Sequence, residues 1–86
     1  MIFTFPHFTD VQFQKIEDKY CSYTVPDTGS FSNITSAEER CRRDSYCKGV
    51  WDQGCDESQD DVYLCMVGHE YIDYKGDCIY DKKVEF

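Results

Sequence analysis

The residues able to do chemistry in this chain are six cysteines, at positions 21, 41, 47, 55, 65 and 78, two histidines, and a run of carboxylates after Cys55. Thiols at this density can bridge, hold zinc or act as nucleophiles. Structural zinc sites use tight Cys-x-x-Cys-type pairs. The one site that can be drawn takes Cys47, Cys55, Cys65 and His69, and it contains no such pair. A thiol nucleophile needs an unpaired cysteine in electropositive surroundings with a base beside it. An even count leaves no thiol over, and the two histidines complete no recognisable triad, so catalysis is not expected. Six cysteines in 86 residues read instead as a disulfide framework, which places the protein outside the reducing cytosol, secreted or otherwise extracellular. Spacing alone leaves the pairing open.

The carboxylates Asp56, Glu57, Asp60 and Asp61 are a possible calcium set, because hard cations want clustered oxygen ligands. Their spacing is not that of an EF-hand loop and the glycine of such a loop is missing. The plainer reading is a solvated acidic loop. Neither a metal nor a cofactor is expected. Arg40, Arg42, Arg43 and Lys48 carry four of the nine basic side chains. They could receive a carboxylate, a sulfated sugar or an acidic partner loop; the competing reading is a wet helix face balanced by Glu38, Glu39 and Asp44. Asn33, the sole asparagine, opens the N-glycosylation sequon Asn33-Ile34-Thr35 in a predicted loop, where it can also serve as a turn residue.

These side chains must be positioned by a small domain. The net charge of −8 repels polyanions, so a nucleic-acid partner is not expected. No run approaches the ~20 apolar residues of a membrane helix, so neither is membrane insertion. Residues 1–10 read as an aromatic arm, with Phe3, Phe5 and Phe8 around Pro6 and no basic n-region or sustained apolar core of a signal peptide. The chain is therefore expected to be a mature product or a piece of something longer. Three phenylalanines are costly in water, at roughly 1.5–3 kcal/mol each relative to burial. Either they fold back on the module or they join it to a neighbour.

From Val11 an alternating pattern predicts a strand towards Cys21, followed by a turn-rich loop over 24–33. Thr35-x-x-Glu38 and Ser36-x-x-Glu39 are overlapping capping boxes that predict a helix with its acids in the first turn and its arginines later. Ala37 and Cys41 share its inner face. Val50-Trp51 predicts a strand, 52–54 a turn, Val62-Tyr-Leu-Cys-Met-Val67 a strand, 71–74 a weaker one, 75–77 a turn, and Cys78-Ile-Tyr80 a last strand. The sum is α+β: one helix packed on a small antiparallel sheet, over residues 11–86.

The run Ser36-Ala-Glu-Glu-Arg-Cys41, then Cys47-Lys-Gly-Val-Trp51, Cys55, Val62-Tyr-Leu-Cys65 and Cys78-Ile-Tyr80 resembles the PAN/apple domain family over about residues 11–81. The resemblance implies a nested pairing, Cys21–Cys78, Cys41–Cys65 and Cys47–Cys55. A helix cysteine and a strand cysteine can meet across a helix–sheet interface, which agrees with the second of these. It also implies a non-catalytic module for protein–protein or protein–carbohydrate recognition, of the adhesion or matrix type. Specificity is expected in the loops 24–33 and 55–61 and on the basic helix face. The arm and the acidic loop lie outside that family pattern. The rival class is a structural repeating subunit of an extracellular filament or assembly, joined through Phe3, Phe5 and Phe8. A secreted toxin or inhibitor is a third, without a reactive-site loop to support it.

Overall fold

A computed structural model describes residues 10–57 and 61–85. Five elements follow one another: β1 (Asp10–Cys21), α1 (Ile34–Arg43), β2 (Cys47–Asp52), β3 (Val62–Met66) and β4 (Tyr71–Glu85). The strands form one antiparallel sheet in the order β1-β4-β2-β3. The helix lies on one face of it, so the α+β expectation is met. The arm residues Phe3, Phe5 and Phe8 lie outside the described residues.

The sheet's two faces follow from the alternation of side chains along a strand. On the helix side, Val50, Val62 and Leu64 are fully buried beneath Ala37 and Cys41, with Val25 beside them. Phe13, Phe31, Ile34, Met66 and Tyr80 close the edges of this core. On the opposite face a thinner cluster joins Cys21, Cys65 and Ile79, flanked by Trp51 and Tyr71. Full burial of a side chain such as Leu64 or Ile79 contributes about 1.5–3 kcal/mol.

The helix begins earlier than its capping boxes suggest. Asn33 is the N-cap, and its Oδ1 accepts the Ser36 N–H at 2.8 Å. Glu38 and Glu39 consequently fall beyond the first turn, while Arg40, Arg42 and Arg43 fill the last one. Asparagine is as good a cap as serine and better than threonine, and the extended backbone of Asn33 puts its carbonyl in reach of the Ala37 N–H at 3.3 Å.

The two strands and turn expected over 71–80 are one long strand with a wide bulge. Glu17 pairs with Cys78 and Lys19 with Asp73, so β4 spends five residues where β1 spends two. Asp18 takes a φ of 62° and Gly76 one of 105°, and the Asp18 carboxylate accepts the Gly76 N–H at 3.1 Å. The turn signal at 75–77 was thus real, but it marks extra residues within a strand, not its end.

Three disulfides, Cys21–Cys65, Cys41–Cys47 and Cys55–Cys78, use all six cysteines. None of the nested pairs implied by the resemblance forms, and the strand geometry says why. Cys65 alternates with the helix-facing Leu64 and so points to the opposite face, away from Cys41 and towards Cys21. Cys47 opens β2 and Cys55 follows its far end, on the order of 15 Å away at 3.3 Å per residue. Cys47 instead lies just beyond the helix, 5.2 Å from Cys41 between Cα atoms. Cys78 sits opposite Glu17, four residues up β1 from Cys21.

Candidate functional site

The basic residues do not converge. Arg40 pairs with Asp44 at 3.4 Å, and Arg42 with Glu39 at 3.3 Å while its guanidinium lies 5.5 Å from the Phe13 ring centroid. Lys48 belongs to the other side of the sheet. Its Nζ donates to the His69 carbonyl at 2.6 Å and sits 4.3 Å from the centre of the Tyr71 ring. Only Arg43 of the four has no ion-pair or ring partner among the described residues. Arg40 and Arg43 do share one feature: they wall an open cleft of ≈ 580 Å³ with Val25, Pro26, Asp27 and Tyr46. The loop after β1 forms the other wall. It is held there because the chain past Cys21 runs along the outer edge of β3, with Val25 N–H donating to Leu64 at 2.9 Å and Phe31 N–H to Val62 at 2.7 Å. Tyr46, 62% exposed, stands at the rim.

Asn33, the sequon residue, is exposed and caps the helix through its oxygen, so the amide nitrogen to which a glycan would be joined takes no part in that bond. His69 stacks against Tyr23 with ring centroids 4.0 Å apart. With Cys47, Cys55 and Cys65 all in bridges, the four residues of the drawn zinc site are not brought together. In the acidic loop, Asp60 lies outside the described residues. Glu57 turns back at a φ of 56° and donates its N–H to the Asp52 carboxylate at 2.9 Å. Among the described residues no group of three or more His, Cys, Asp or Glu is placed to hold a metal ion. Burial raises the Asp52 carboxyl above its ordinary value, an effect the Glu57 N–H opposes and the nearby Asp56 and Glu57 charges reinforce.

A second cleft, of ≈ 280 Å³, was not foreseen. Tyr20, Trp51, Gln53, Tyr74 and Asp77 line it. The β4 bulge builds it, carrying Asp77 under the turn after β2. There one carboxylate oxygen accepts Trp51 Nε1–H at 2.9 Å and the other accepts the Gly54 N–H at 2.8 Å. Cys55–Cys78 bolts the same turn to the same strand. The aromatic residues come from three separate strands, and no spacing along the chain brings them together; the one local signal was the turn-like 75–77 between them.

Among the described residues no helix is long and apolar enough to cross a membrane. Three disulfides in a chain this small are compatible with an extracellular location. No protein-family model, curated protein or solved structure is significantly similar to the chain.

Proposed function

We propose that the chain is an extracellular, non-catalytic recognition module of PAN/apple-like type that binds an acidic protein segment or an acidic carbohydrate. The observation that carries this reading is the open cleft between the 25–27 loop and the end of α1. Arg40 and Arg43 line it together with Asp27 and Asp44; Asp44 pairs with Arg40, and Arg43 is left without an ion pair among the described residues. In a chain of net charge −8, that guanidinium is a local point of attraction for an anion that fits beside Asp27. Helix, capped start and the Cys41-to-Cys47 junction into β2 support the family likeness; the disulfide pairing departs from it. Secretion and glycosylation at Asn33 belong to the same proposal.

Calorimetric titration with a sulfated oligosaccharide and with a polyglutamate peptide tests it. Binding to one of them, weakened about tenfold or more in Arg43→Glu, is expected. No binding to either, with the wild-type fold intact, would sink the reading. The alternative, a repeating structural subunit joined through Phe3, Phe5 and Phe8, has one observation in its favour: the outer edge of β1 is unpaired among the described residues. Light scattering before and after removal of residues 1–9 separates the two. Assembly lost with the arm makes the chain a building block, and an unchanged monomer leaves the module.

A further inference from the structure

We propose that the aromatic cleft at the β4 bulge binds a choline-type methylated ammonium group. Tyr20 and Trp51 meet with centroids 5.6 Å apart and planes at 53°, and Tyr20 and Tyr74 at 5.4 Å and 66°. The rings therefore form a corner, not the single flat platform on which a sugar ring stacks. A corner of π faces surrounds a compact cation, and cation–ring attraction is strongest on tryptophan. The volume, ≈ 280 Å³, lies just below the roughly 300–1,000 Å³ of drug-sized sites and suits a headgroup-sized ligand.

Charge points the same way. Asp77 lies beneath the rings, 6% exposed, with both oxygens already accepting protein N–H groups. It offers a negative field to the cleft, each oxygen already accepting one bond, and among the described residues Gln53 is the only other non-aromatic polar side chain of the lining. A sugar or peptide asks for several hydrogen bonds, whereas a methylated ammonium asks for none. Donation from the indole N–H to a carboxylate also polarises the ring, making its face more negative. The cation–ring contacts found among the described residues, Lys15 over Tyr80, Arg42 over Phe13 and Lys48 over Tyr71, involve none of the three rings of this cleft. The overall charge of −8 draws cations in. This site is separate from the basic cleft, and its chemistry is opposite in sign.

Trp51 is the sole tryptophan, so its fluorescence reports the site directly. The protein is titrated with tetramethylammonium chloride and choline chloride, with sodium chloride at matched ionic strength, and with neohexyl alcohol, the uncharged carbon isostere of choline. Saturable changes with both ammonium ions are expected, at least about tenfold weaker with the isostere, and none with sodium chloride. Tyr74, 56% exposed, is not part of either buried cluster. Tyr74→Phe should retain binding and Tyr74→Leu, which keeps apolar bulk but removes the ring, should lose it about tenfold or more; unchanged circular dichroism shows that each is folded. Phosphatidylcholine vesicles form a separate arm. A response to choline alone assigns a free small cation, and a response to both extends the site to a lipid-borne headgroup. Equal affinity for the isostere, a response to glucose or galactose in place of the ammonium ions, or a Tyr74→Leu variant that binds like the wild type would overturn the proposal.

Discussion

The ammonium of Lys82, on β4, lies 2.7 Å from the carbonyl oxygen of Cys41 in the last turn of α1. It also reaches the carbonyls of Asp44 at 3.1 Å and Cys47 at 3.2 Å. The last carbonyls of a helix have no partner within it, and here a strand supplies the donor from below. One side chain therefore caps the helix, ties it to the sheet and holds the Cys41–Cys47 corner. Lys82→Met keeps the length of the stem and removes the donor. It should cost about 1–3 kcal/mol in urea unfolding, because three charge-assisted bonds are lost while the Cys41 and Asp44 carbonyls keep only the Asp44 and Cys47 backbone N–H groups. An unchanged midpoint would show that water replaces the ammonium without loss.

Asn33 serves as cap and sequon through different atoms, so the two roles separate by mutation. Asn33→Ser preserves an oxygen for the Ser36 N–H and abolishes any glycan, with little change in stability. Asn33→Ala abolishes both and should cost about 1 kcal/mol. Thr35→Ala breaks only the sequon. Intact mass from a eukaryotic host and thermal melts of the three variants read the two effects independently. Equal stability of the serine and alanine variants would remove the cap from the account.

Gly49 has no room for a side chain. A Cβ there would collide with the Tyr71 hydroxyl and come within 3.0 Å of the Tyr80 carbonyl. That hydroxyl is itself engaged, donating to the Asp81 carboxylate at 2.6 Å with the Lys48 carbonyl 3.1 Å away. Burial first, and the Asp81 bond second, push the phenol's pKa far upward. Gly49→Ala should destabilise the fold by about 1–3 kcal/mol. Removing the oxygen in Tyr71→Phe should recover part of that loss, so the double variant should be more stable than the sum of the single ones predicts. Strict additivity would show that the clash is with the backbone alone.

Asp52 is 1% exposed and one of its oxygens has no hydrogen-bond donor among the described residues. Burial raises its pKa from 3.8, so the folded state holds the proton more tightly than the unfolded one. The sign follows: its contribution is greatest below pH 3.8 and is lost as pH rises through the raised value. Asp52→Asn should remove that component. Thermal unfolding measured from pH 3 to about 7 should show the wild type falling relative to the variant across this window. Parallel profiles would mean that the carboxylate finds solvent or a donor in solution.

The three bridges should differ in worth, because they close loops of different length. Cys21–Cys65 spans 44 residues and Cys41–Cys47 spans 6. Chain-entropy arguments give roughly 4 kcal/mol for the first and about 2 kcal/mol for the second. Paired alanine variants compared in guanidinium should show that order. Peptide mapping of the unreduced protein checks the pairing itself; a Cys21–Cys78 or Cys41–Cys65 fragment would contradict the fold.

What the sequence made legible was local. The face shared by Ala37 and Cys41, the strands around Val50 and Leu64, and the bridging of all six cysteines follow from periodicity and count. The bulge was half visible, since Lys75-Gly76-Asp77 carries the same signature whether a strand ends or only swells. Its partner Asp18 gave no signal. Pairing of the cysteines depended on which face Cys65 points to, a question of register that no spacing answers. The basic group failed to assemble for a similar reason: Lys48 and Arg43 are close in the chain, yet the sheet stands between them. The aromatic cleft needed three strands in register before any of its residues met.

The segment that crosses from Cys21 to the helix has a mechanical consequence. By bonding along β3 at Val25 and Phe31 it covers that margin of the sheet, while the outer side of β1 stays unpaired among the described residues. Two copies meeting β1 to β1 would pair those edges with each other, an isologous contact that closes on itself, so an endless array of this chain requires a second, different contact elsewhere on its surface.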